Sequence, residues 1–128
     1  MRIRRKLINL IIFITMGHSP ISHGAQIFCD IDFEDGKNQL RIEPDNDIYK
    51  VSTIDLSGRF RFSGQYLPGL NKFKVNTYYN SKDRYVLIVA QEHYVSSSTC
   101  DHNFGVNRVY GGPYERDLYF QCRHICNQ

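Results

Sequence analysis

The chain has 128 residues, 23% of them charged, with nine tyrosines, four cysteines, no tryptophan and a formal charge of +3. That length makes one domain. The positive balance sits at one end: Arg2, Arg4, Arg5 and Lys6 are basic, no acidic residue precedes Asp30, and residues 25–128 carry a net −1. No Lys/Arg cluster in the remainder supports nucleic-acid binding.

The opening, MRIRRKLINLIIFITMG, has a basic start followed by an apolar run from Leu7 to Met16, interrupted only by Asn9 and Thr15. A membrane-spanning helix needs roughly 20 apolar residues, so this run is too short. It fits a secretory signal peptide over residues 1–24. Pro20 breaks the helix, and Ser22 and Gly24 supply small residues at −3 and −1, which places cleavage before Ala25. Bulky Gln26, Ile27 and Phe28 before Cys29 argue against a lipid anchor there. An uncleaved N-terminal anchor is the alternative. The expected mature unit is a secreted β-domain over residues 25–128, in the periplasm or outside the cell.

Nearly every periodic stretch beyond residue 25 has period two, the strand signature. Ile27, Cys29, Ile31 and Phe33 alternate with Asp30, Asp32 and Glu34, and Asp35-Gly36 signals a tight hairpin. Leu40 and Ile42 alternate on the returning strand. Pro44 to Asp47 forms a turn, and residues 48–56 read as a strand ending at Ser57-Gly58. In RFRFSG, Phe60 and Phe62 point inward and Arg59 and Arg61 outward. GQYLPGLN reads as a loop. Phe73 and Val75 point inward, Lys72 and Lys74 outward, and Asn80 to Asp83 turn the chain. Tyr85 to Ala90 is apolar on both parities and predicts a central strand covered on both faces. Residues 96–100 form a loop, and 104–110 with 115–122 make a last hairpin around GGPY. The expected fold is all-β: about eight short antiparallel strands in a small sandwich or barrel, stapled by disulfides.

An even cysteine count in a short exported chain reads as a disulfide framework. A zinc site drawn from Cys100, His102, Cys122, His124 and Cys126 has the wrong spacing, since C-x-H and C-x3-C replace the C-x2-C knuckle. A thioredoxin-like pair needs a βαβ context that is missing. Cys29 and Cys122 both fall on core-facing parities, whereas Cys100 and Cys126 lie outside clear strands. Pairing like with like gives Cys29–Cys122 and Cys100–Cys126.

Catalytic chemistry finds little support. DIDFEDG places Asp35 and Arg41 where a calcium loop needs glycine and glutamate, and Ser96 to Ser98 lack a nucleophile elbow. Neither cofactor nor metal is expected. Tyrosine is the conspicuous residue, and the segment VYGGPYERD joins Tyr110, Tyr114, Glu115 and Arg116 around a glycine-proline tip. Tyrosine and arginine are enriched at binding hot spots, so these four are the candidate contact residues. Tyr114→Ala and Arg116→Ala should each weaken partner binding by about 1–3 kcal/mol with little change in melting temperature. Tyrosines packed on neighbouring strands would reverse that outcome. The leading expectation is a non-enzymatic binding protein with a protein or glycan partner, most concretely an inhibitor or immunity-type protein. A structural or adhesive subunit of a surface assembly is the alternative, and a small hydrolase with a spatially assembled site ranks third.

Overall fold

The computed structural model describes residues 25–34, 36–111 and 116–126. The expected signal peptide and its cleavage point, the hairpin residue Asp35, and Tyr114 and Glu115 lie outside the described residues. Eight strands follow one another: β1 (Gln26–Phe33), β2 (Gly36–Ile42), β3 (Ser52–Leu56), β4 (Phe60–Leu67), β5 (Lys72–Ser81), β6 (Arg84–Tyr94), β7 (Asn103–Gly111) and β8 (Arg116–Ile125). They form two four-stranded sheets, in the orders β2-β1-β8-β7 and β3-β4-β5-β6. Every strand pairing within them is antiparallel. The all-β fold is therefore a sandwich, with β1 and β8, the first and last strands, side by side at the centre of one sheet.

Alternation places the core as the sequence predicts. Ile27, Cys29, Ile31 and Phe33 of β1 and Leu118, Phe120 and Cys122 of β8 are buried against Phe60, Phe62, Phe73 and Val75 of the facing sheet. The two layers interlock through rings: Phe62 meets Phe120 at 5.0 Å and Phe33 meets Phe60 at 5.2 Å, both edge-on. Full burial of such a side chain contributes roughly 2–3 kcal/mol. Turn chemistry matches the reading in part: Gly36, expected in a tight turn, instead begins β2 opposite Phe33, and Asn80 and Ser81 continue β5, so that turn narrows to Lys82 and Asp83. Lys82 and Asp83 both have positive φ, as do Ser57 and Gly58, the backbone that tight hairpins with a right-handed twist require. Cys29 and Cys122 are directly opposite in the β1–β8 ladder, and both Cys29–Cys122 and Cys100–Cys126 disulfides are formed.

Four expectations are corrected. β6 is not central: among the described residues it pairs only with β5 and forms the edge of its sheet. Val86, Leu87 and Ile88 are exposed on it. The register slips between Thr77 and Tyr78, whose partners are Val89 and Leu87, so Ile88 is an extra residue in a bulge. Its apolar character on both parities is therefore not matched by cover on both faces. Residues 48–51 are not strand, because side chains of the preceding loop and of β4 capture their backbone, as described below. Gly64 to Leu67, expected as loop, continue β4, where Gly64 passes so close to Ile42 that a Cβ would overlap Ile42 Cδ1. Gly111 is not at the hairpin tip: it ends β7, pairs with Arg116, and is buried.

Candidate binding surfaces

The last hairpin carries an aromatic and charged cluster on its outer face. Its register sets Tyr110 opposite Asp117 and Arg108 opposite Tyr119. The Arg108 guanidinium donates to Asp117 Oδ2 from Nη2 at 2.6 Å and from Nε at 3.1 Å. It lies 4.3 Å from the Tyr110 ring centroid and 5.6 Å from that of Tyr119. The hydrogen bond to Asp117 raises the Arg108 pKa further, and cation–π contact holds the rings beside the charge. Tyr110 remains 59% exposed. Of the expected contact residues, Tyr110 is thus presented to solvent with Arg108 as its neighbour, a partner that sequence reasoning missed. Arg116 enters the description only through its backbone, opposite Gly111.

A second surface was not foreseen. Between β2 and β3 the chain makes a loop whose backbone is fastened from three sides. Asp45 Oδ1 accepts from Asp47 N at 2.8 Å, and Asp47 Oδ1 accepts from Tyr49 N at 3.0 Å. Such Asx turns capture backbone donors that a strand would otherwise use. Lys50 N donates to Asp47 O, closing the turn, and Lys50 Nζ pairs with Asp45. From β4, the Gln65 amide donates to Ile48 O at 2.7 Å and to Lys50 O at 2.9 Å. Asn46 Oδ1 accepts from Gly69 N, tying the loop to the 3₁₀ turn Pro68–Leu70. This fastened turn presents Ile48, Tyr49 and Val51 to solvent, with Tyr49 87% exposed. The local signal in the sequence is Asp-x-Asp followed by apolar residues; the distant anchor, Gln65, leaves none.

The cysteine and histidine end is structural in geometry. His124 is buried on β8 and its ring meets Tyr66 edge-on. Thr99 Oγ1 donates its proton to Ser96 O, so the 3.0 Å contact between Thr99 Oγ1 and His124 Nδ1 makes Nδ1 the donor. Ser96, Ser98 and Thr99 bond one another in a capping box. Donor atoms of Cys100, His124 and Cys126 lie within 4.8 Å of one another. The Cys100–Cys126 bond ties up both sulfurs of that set, and metals bind the thiolate. Two disulfides point to an oxidising environment outside the cytoplasm.

The chain matches no protein-family model, no curated protein and no solved structure.

A pH response follows from His93. Its ring stacks on Phe73 at 5.7 Å and packs on Phe104 at 4.9 Å, and His102 meets Phe104 edge-on at 5.2 Å. Burial, and secondarily the nearby His102, hold the His93 pKa below its ordinary 6.5. The unfolded chain then binds more protons than the fold near that pH, so stability rises with pH there. The contribution is fully present above the unfolded pKa and is lost as pH falls through it towards the lowered folded value. Thermal melts should show a stability loss between about pH 7 and pH 5 that His93→Phe reduces. An unchanged slope in that variant would assign the response elsewhere.

Proposed function

We propose that this chain is an exported, non-enzymatic binding protein of the inhibitor or immunity type. It acts on a protein partner in the periplasm or outside the cell. The observation that carries this reading is the loop from Asp45 to Val51. Ile48 and Tyr49 are exposed among the described residues, yet the turn that displays them is fixed by Gln65, Asp45 and Asp47. Holding an aromatic anchor in one geometry before contact lowers the ordering cost of binding. Tyr110 beside Arg108 supplies a second patch of hot-spot composition. The basic and apolar opening of the chain and the two disulfides support export.

Affinity capture from periplasmic and culture fractions, read by mass spectrometry, tests the reading. A discrete partner should be retained, and Tyr49→Ala should weaken its binding by about 2 kcal/mol with an unchanged melting temperature. Retention no greater than on the reduced, denatured chain would defeat it. A structural subunit of a surface assembly is the second reading, favoured by one feature: the unpaired β6 edge with Val86, Leu87 and Ile88 exposed, an acceptor for an added strand. Gel filtration separates the two, since a discrete small species favours the binder and a ladder of polymers the subunit.

A further inference from the structure

The outer face of the β3-β4-β5-β6 sheet contains a trough running across the strands. The register sets Thr53 opposite Ser63, Ser63 opposite Asn76 and Asn76 opposite Ala90, one short side chain from each strand. The rungs on either side are tall. On one flank stand Asp55, Arg61, Tyr78 and Leu87 in the same cross-strand order. On the other stand Lys74 and Glu92, also paired, with Val51 of the fastened loop at the β3 end. The part of this rung that lines the depression, from Thr53 to Asn76, spans three strands, about 10 Å at their usual spacing. The depression has a volume of about 410 Å³ and is lined in part by Ser63, Asn76, Tyr78 and Tyr85.

The chemistry of this trough is neutral and rich in hydrogen-bonding groups. Ser63 is only 5% exposed and lines the floor. Among the described residues nothing hydrogen-bonds its hydroxyl, the Asn76 amide, or the hydroxyls of Tyr78 and Tyr85. The charges on the flanks, by contrast, are already matched. Arg61 donates from Nε to Asp55 at 2.7 Å and lies 4.0 Å over the Tyr85 ring, and Glu92 pairs with Lys72 and Lys74. Arg61 thereby stands Tyr85 as a fixed wall rather than offering a free charge.

From this juxtaposition we propose that the trough is a binding site for a neutral oligosaccharide, which lies across the strands over Ser63 and Asn76. A sugar ring has hydroxyls around its rim and C–H groups on its faces. The rim matches the serine, asparagine and threonine groups of the floor. The C–H faces match tyrosine rings, whose faces carry partial negative charge. A few polar groups fixing orientation in an otherwise aromatic cleft is the ordinary design of a small-ligand site. The site lies on the sheet opposite the Tyr110 hairpin and does not rest on the protein-partner reading.

The test titrates the folded, oxidised protein with maltotriose, cellotriose and triacetylchitotriose in turn, following backbone amide shifts. At least one should bind, with the largest shifts on Ser63, Asn76 and Tyr85. Ser63→Ala and Asn76→Ala should each weaken that sugar about tenfold, the loss expected for a single well-made hydrogen bond. Tyr110→Ala, on the other sheet, should leave sugar affinity unchanged while affecting protein capture. Three results would overturn the proposal: no shift with any of the three sugars, binding that both floor variants leave intact, or tighter binding of trigalacturonate than of every neutral trisaccharide.

Discussion

Cys29→Ser should lower the free energy of unfolding by about 4–5 kcal/mol, the largest loss expected for a single change in this chain. The bond closes a loop with a sequence separation of 93 residues, so its removal releases the most unfolded-state entropy. It also joins the central pair β1 and β8, where Cys29 and Cys122 are both buried. A serine there puts a hydroxyl against the apolar core. Cys126→Ser opens a loop of separation 26 and should cost no more than about 3.5 kcal/mol. Denaturant titration of both variants reads the difference directly, and equal losses would contradict the assignment of the larger share to the central bond.

Gly111→Ala should cost about 3 kcal/mol, at the upper end of what overpacking a core does. A Cβ at Gly111 would lie 2.7 Å from Phe60 Cε1 and Cζ and 2.7 Å from Tyr79 Cδ2. Neither ring can step aside alone. Phe60 is packed edge-on against Phe33 at 5.2 Å and against Tyr79 at 5.4 Å, so displacing it disturbs both layers of the sandwich. Gly36→Ala is the control, since its Cβ would make only an ordinary 3.4 Å contact with Phe33 O; its change should stay within about 0.5 kcal/mol. Thermal or denaturant melts suffice. A tolerated Gly111→Ala would mean that the hairpin end is loosely packed.

Cys29 and Gly111 owe their roles to different levels of structure. The cysteine bond was legible because strand parity is local: Ile27, Cys29 and Ile31 share a face whatever the rest of the chain does, as do Leu118, Phe120 and Cys122. Two core-facing cysteines in an oxidised chain have few other partners. Gly111 was legible only as a turn former. That a ring from β4 and another from β5 leave no room for a Cβ there depends on how the second sheet lies over the first.

By itself, then, the sequence determined the all-β class, the alternating faces, chain reversals at Ser57-Gly58 and within Asn80 to Asp83, and the disulfide partners. Each of these rests on spacing within one stretch or on backbone φ preferences of single residues. Tertiary structure alone decided which strand became an edge. The run from Tyr85 to Ala90 reads as central by composition, but edge position depends on where the chain next travels, and after Tyr94 it crosses to the other sheet. Tertiary structure also decided that Gln65 holds the turn displaying Tyr49, and that Thr53, Ser63 and Asn76 form one trough. Those groups come from different strands, and only the register of the ladders, fixed by packing of the buried face, brings them onto one rung.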